Sequence, residues 1–155
     1  MKYKFEIMTQ EQAEEIAHNW HYDGDYAYYD MEADEEDLAE ILDRKARGNS
    51  MFAVMIEDEL NGFFSVSQAA ANVNYIGLGM RPDLTGNGRG TEFLQAGMDF
   101  VQSRFKVDKI TLSVATFNQR AIKVYRKVGF KDRGTFMQDT NGSTYEFIRT
   151  VYECG

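Results

Sequence analysis

The stretch RPDLTGNGRGTEFL, residues 81–94, decides how the chain is read. Within it TGNGRG sets glycine at Gly86, Gly88 and Gly90, directly ahead of a segment in which Leu94, Met98, Val101 and Phe105 recur at helical spacing. Glycines let a backbone curl tightly, and consecutive N–H groups at a helix N-terminus then point at an anion, aided by the helix dipole. A pyrophosphate suits such a cradle; a plain glycine-rich turn opening a helix is the other reading of the hexapeptide. Two familiar phosphate motifs fail. The dinucleotide fingerprint G-x-G-x-x-G needs its third glycine one place after Gly90, and a P-loop needs a lysine where Thr91 stands. The missing lysine also counts against an ATP-binding regulator.

Outward from this stretch, the periodicity alternates between strand and helix. Residues 3–7 (YKFEI) alternate as a strand, and Thr9 opens TQEQAEEIAHNW, with Glu11 and Gln12 placed to help cap a first helix. HYDGDYAYYDM is aromatic, acidic and without period, which predicts a loop. A second helix is expected over residues 33–47, with Leu38, Ile41 and Leu42 on one face and Gly48 as its stop. MFAVMI, the turn-like EDELNG, FFSVSQA and VNYIGLGM then read as three strands of an antiparallel meander. After the glycine stretch come a helix over residues 90–105, strand KITLSVAT, helix QRAIKVYRKVG, strand FKDRGTFM, turn DTNG and strand STYEFIRTVYE. This order predicts an α+β class: a central mixed and mostly antiparallel sheet of about six or seven strands, flanked by about four helices, in a single domain over residues 1–155.

Composition narrows the function classes. A chain of 155 residues with 43% hydrophobic content is long enough to bury a core. The single Cys154 cannot pair within the chain, so a reducing, cytoplasmic setting is expected. No apolar run approaches a membrane span, so a soluble, unprocessed protein without a membrane partner is expected. A net charge of −8 argues against nucleic acid as a partner. The charge is uneven: residues 1–77 hold 5 basic and 17 acidic side chains, residues 78–155 hold 12 and 8. Either the acidic run is a solvated helix face, or the basic half holds an anionic ligand and the acidic half receives a cationic one.

A second motif bears on the first. Residues 118–130 read NQRAIKVYRKVGF, an N-x-x-A-x-x-x-Y-x-K-x-G-F arrangement on the helix after the next strand. Together with RPDLTGNGRG it resembles the GNAT superfamily of acetyl-CoA-dependent N-acetyltransferases, residue by residue over 75–130. The resemblance implies the GNAT fold, acetyl-CoA as co-substrate and no metal. It implies that the backbone of Leu78, Gly79 and Met80 bonds the pantetheine arm, and that Gly86, Asn87, Gly88, Arg89, Gly90 and Thr91 cradle the pyrophosphate. Thr85 departs from the Gln or Arg usual in the family, a change expected to weaken binding modestly. Asn118 matches the asparagine that contacts the pantetheine or acetyl end, and it is also a good N-cap. Tyr125 matches the tyrosine that protonates the departing thiolate.

The resemblance further implies a primary amine as acceptor, attacking the thioester directly. Some relatives carry a glutamate base on the strand five residues before the asparagine; that position is Ser113. For a lysine-like amine of pKa about 10.4, deprotonation at pH 7 costs about 4.6 kcal/mol, against about 1 kcal/mol for an α-amine of pKa about 7.8. The missing base leans toward an α-amine. By resemblance, the segment with Trp20, Tyr22, Asp23, Asp25, Tyr26 and Tyr28 helps wall the acceptor pocket. Aromatic faces and carboxylates suit a cationic acceptor such as a peptide N-terminus, a polyamine or an amino sugar. A Tyr-rich loop packed on the core is the other reading. A non-catalytic acyl-CoA-binding module stays open as the alternative function, and so does monomer against homodimer.

Overall fold

The computed structural model describes residues 2–85 and 88–154. The first strand, β1 (Lys4–Ile7), leads into α1 (Gln10–Asn19), which starts with a full capping box. Thr9 Oγ1 accepts from the Gln12 N–H at 3.1 Å and Gln12 Oε1 accepts from the Thr9 N–H at 2.9 Å.

The acidic aromatic segment is not an irregular loop. It forms two 3-10 turns, Gly24–Tyr29 and Met31–Ala33. The single helix expected after it is two, α2 (Glu35–Leu42) and α3 (Arg44–Arg47), and it begins at the cap Asp34. The break lies at Asp43, which leaves the helical backbone with ψ near 111° and uses its carboxylate to cap the Lys45 N–H at 2.9 Å. The buried Arg47 guanidinium donates to the Ile41 carbonyl and, at 2.8 Å, to Gln10 Oε1, satisfying the end of α2 from within.

The meander β2 (Met51–Ile56), β3 (Glu59–Ala70) and β4 (Val73–Met80) turns more tightly than expected. Glu57 and Asp58, at φ 48° and 67°, make a two-residue turn, so most of EDELNG is strand. Then follow α4 (Gly90–Arg104), β5 (Lys109–Ala115), α5 (Gln119–Val128) and the hairpin β6 (Lys131–Thr140) and β7 (Ser143–Glu153). The seven strands lie in the order β1-β2-β3-β4-β5-β7-β6, antiparallel except between β4 and β5.

Apolar side chains fill both sides of this sheet. On one side Phe64, Phe93, Leu94, Met98, Ile110, Leu112 and Ile122 pack with their neighbours under α4 and α5. Gly97 lets α4 close onto the sheet, because a Cβ there would overlap the Phe64 ring. On the other side Ile16, Ala17, Trp20, Ile41 and Leu60 form a smaller core under α1 and α2. Among the described residues no helix is long and apolar enough to cross a membrane.

Candidate active site

The parallel pairing of β4 with β5 is short. It joins Val73–Tyr75 to Lys109–Thr111 and then stops, so the remainder of the two strands diverges as a wedge. The Arg81 N–H donates to the Asn61 carbonyl on β3 at 2.8 Å. Counting back along the antiparallel ladder, Gly79 and Gly77 also face β3, while Ile76, Leu78 and Met80 turn their backbone groups toward the wedge. Of the three residues expected to bond a pantetheine arm, Leu78 and Met80 therefore face the wedge and Gly79 does not. Gly79 is needed for room instead, since a Cβ there would strike the Phe63 ring. The Met80 carbonyl is already engaged, accepting from the Tyr22 hydroxyl at 2.6 Å.

The glycine stretch follows at the end of β4. Gly86 and Asn87 lie outside the described residues. Gly88 has φ 75° with open space where a side chain would be, and Arg89 precedes Gly90 at the first turn of α4. A groove of about 550 Å³ runs past Gly88 and Thr91 and is lined also by Tyr3 and Glu92. Thr85 closes the turn Pro82–Leu84 by donating from its hydroxyl to the Pro82 carbonyl at 2.8 Å. A left-handed glycine, an exposed helix N-terminus and a basic side chain fit an anionic diphosphate, and the wedge fits the extended, amide-bearing arm of coenzyme A.

At the mouth of the wedge three tyrosines and an asparagine converge. Asn118 is buried and does two jobs: its Oδ1 accepts from the Ala121 N–H at 3.1 Å, capping α5, and its Nδ2 donates to the Tyr29 hydroxyl at 2.9 Å. Tyr125, half-buried on α5, has its hydroxyl held well above the usual phenol range, first by burial and then by Tyr29 and Tyr75 nearby. It is thus protonated at neutral pH. Burial also raises the Tyr29 hydroxyl, opposed in part by the Asn118 bond.

The residues expected to wall the acceptor pocket divide. Trp20 is 4% exposed and packs against Phe63 in the smaller core, so it offers no open face. Tyr22 anchors β4, as described. Tyr26 and Tyr28 join Phe117, Tyr29 and Tyr145 in an aromatic wall, with Tyr28 at 5.4 Å from Phe117 and 4.7 Å from Tyr145. The Arg120 guanidinium lies 4.2 Å over the Tyr26 ring, on a face expected to receive a cationic acceptor. Burial pushes the Tyr28 hydroxyl up to about 12. Asp23 and Asp25 are exposed at the start of the first 3-10 turn.

A chain of hydrogen bonds steadies this segment. The Tyr22 N–H donates to Asp30 Oδ1 at 2.8 Å, and Asp30 Oδ2 lies 3.0 Å from His21 Nδ1. His21 Nε2 lies 2.8 Å from the His18 carbonyl. Both partners of the ring can only accept, so the fully bonded His21 is the imidazolium. At the other end, Asp34 Oδ2 accepts from Thr140 Oγ1 and the Asn141 N–H, each at 3.0 Å, and Asn141 Nδ2 donates to the Tyr28 carbonyl at 2.8 Å.

Ser113 lies on β5 just past the last residue paired with β4, at the open side of the wedge. No carboxylate on β5 faces that opening. Asp37 on α2, beside Tyr28, has its carboxyl pushed up to about 6 by desolvation and by Asp34, Glu40 and Glu36. Sequence reasoning missed Tyr75, Phe117, Tyr145, Arg120 and Arg149, which enter the site's neighbourhood only through strand order and register.

Comparison with known proteins bears on the fold. The family profile of the acetyltransferase (GNAT) domain matches residues 4–131. No curated protein sequence matches closely enough to count as a relative. Among solved structures, an acetyltransferase of the GNAT family from Bacillus anthracis is 19% identical, with 99% of this chain and 95% of that one covered and a TM-score of 0.78. An aminoglycoside acetyltransferase in complex with ribostamycin and coenzyme A is 18% identical over 99% of this chain and 94% of that one, with a TM-score of 0.74. The spermidine N-acetyltransferase from Vibrio cholerae in complex with CoA and spermine is 18% identical over 97% and 95%, with a TM-score of 0.76. At these identities the likeness is one of fold.

Proposed function

Since the chain belongs to the GNAT acetyltransferase family, we propose that it moves an acetyl group from acetyl-CoA to the primary amine of a small molecule or peptide. The observation that carries this reading is the divergence of β4 and β5 with a protonated Tyr125 and a buried Asn118 at its mouth. Acetyl-CoA would supply an activated acetyl thioester and a thiolate leaving group. Leu78 and Met80 would bond its pantetheine arm, and Gly88, Arg89, Gly90 and Thr91 would hold its diphosphate.

The rest falls to this chain's side chains. Tyr125 holds a proton that it would deliver to the leaving sulfur; burial keeps the hydroxyl protonated and makes it a weaker acid than free tyrosine, so the transfer relies on its position rather than on its pKa. Asn118 fixes the start of α5, on which Tyr125 rides, and ties it to Tyr29 in the aromatic wall. Tyr22 braces the Met80 end of the wedge. Ser113 is no base at neutral pH, which favours an acceptor amine that loses its proton readily. Exposed Asp23 and Asp25 support a cationic acceptor, whereas Arg120 over Tyr26 opposes one.

The test is thiol release from acetyl-CoA against α-amino peptides, free amino acids, polyamines and amino sugars, for wild type and Tyr125→Phe. Loss of a positioned acid is expected to lower kcat by about a hundredfold or more while acetyl-CoA affinity stays within about twofold. Equal kcat for the two proteins would remove Tyr125 from the chemistry. Ser113, where some relatives carry a base, favours the second reading of a non-catalytic acyl-CoA-binding module. Tight acetyl-CoA binding without turnover of any amine would select it.

A further inference from the structure

The sheet face on the α1 side of the wedge carries one unexplained charge. Alternation along β5 buries Ile110, Leu112 and Val114 under α5, which turns Thr111, Ser113 and Ala115 to the opposite face. Ser113 stands directly opposite Arg149 on β7, and Thr150, the next residue, is buried against the Leu112 carbonyl. Arg149 therefore shares the outer face with Ser113, their Cβ atoms about 5 Å apart.

This face is cleared rather than filled. Beyond Thr111 toward the open end, β4 contributes Gly77 and Gly79 there, β5 contributes Ser113 and Ala115, and β7 contributes Tyr145, Phe147 and Arg149. A Cβ at Gly77 would meet Ser65 Oγ, so even the nearest side chain on β3 is small. Arg149 is the one charged residue in this set. It is exposed, its guanidinium rests 4.8 Å over the Phe136 ring, and among the described residues it has no carboxylate partner. Phe136 stacks on Phe147 at 5.6 Å, which gives the arginine a flat apolar shelf. A guanidinium so seated is weakly hydrated and keeps its planar donor fork free for a carboxylate.

We propose that the acceptor carries a carboxylate close to its amine, and that Arg149 receives that carboxylate while the amine lies over Ser113 at the wedge. The acceptor class is an amino acid or a similar amino carboxylate. This rests on the acetyl-transfer reading above.

The experiment compares α-amino acids with their own carboxamides as acceptors, in thiol-release assays of wild type, Arg149→Gln and Arg149→Lys. With rates referred to the concentration of unprotonated amine, wild type should prefer the acid over the amide in kcat/KM by tenfold or more, the scale of one hydrogen-bonded charge. Arg149→Gln should erase that preference through a higher KM for the acid, with the KM for acetyl-CoA unmoved, and Arg149→Lys should keep part of it. Turnover of acids and amides alike, or an unchanged preference in Arg149→Gln, overturns the inference and leaves acetyl transfer standing. No turnover of any amine by wild type overturns both.

Discussion

Asn118 joins two loads that can be separated by substitution. Removing its side chain with Asn118→Ala deletes the N-cap of α5, a loss of about 1 kcal/mol, and deprives the half-buried Tyr29 hydroxyl of its donor, about 1 kcal/mol more. The sum of about 2 kcal/mol corresponds, for a chain of this size, to a fall in Tm of about 4–8 °C. Asn118→Ser keeps a capping oxygen and cannot reach Tyr29, so it should lose about half as much. Tyr29→Phe removes the same bond from the other side. Thermal unfolding of the two single variants and the Asn118→Ser/Tyr29→Phe double variant closes a cycle whose coupling should be about 1 kcal/mol. If the double variant equals the sum of the singles to within about 0.3 kcal/mol, or if Ser and Ala cost the same, the joint role is refuted. Acetyl-CoA affinity gives a second readout, because only the cap orients α5 beside the wedge.

Two further outcomes follow from the packing and the hydrogen-bond chain. Gly97→Ala would normally stabilise a helix by about 1 kcal/mol, yet here its Cβ meets the fully buried Phe64 ring, so a net loss of about 1–2 kcal/mol in urea unfolding is expected; a raised midpoint would contradict the close approach of α4. His21 has its pKa raised by the hydrogen bond to Asp30 and then by the His18 carbonyl, so its contribution is fully present below the ordinary value of 6.5 and is lost as pH rises through the folded value. Wild type should therefore exceed His21→Ala in stability at pH 5.5 by more than at pH 9, and a gap that is flat or widens with pH would deny the charged ring its role.

Much of this fold was legible because its signals are local. The Thr9 capping box, the Leu94–Met98–Val101 stripe and the alternating strands each depend on residues a few places apart, and they appear with turns at Glu57–Asp58 and Asn141–Gly142 shorter than the expected EDELNG and DTNG. The break at Asp43 was hidden because aspartate at that spacing sits as easily on an exposed helix face as in a cap; the deciding Arg47 and Gln10 contacts are tertiary. The glycine stretch and the Asn118–Tyr125 helix were legible as the openings of α4 and α5, whereas the wedge itself rests on the short β4–β5 pairing. The acceptor side resisted for the opposite reason. Trp20 belongs to the core and Tyr26 to Arg120, and nothing in a tyrosine-rich string distinguishes a face that is covered from one that is open. Arg149 gains meaning only from its register opposite Ser113.

The bonds from Asp34 to Thr140 and Asn141 span 106 and 107 residues of chain. On a ribosome, the segment that carries Tyr26, Tyr28 and Tyr29 emerges long before the hairpin that fastens it. Throughout that interval the aromatic wall has no clasp, and its tyrosines are free to seek other apolar surface. Completion of the last hairpin is thus the event that fastens this segment, and because β7 also pairs the whole of β5, the same event closes the sheet.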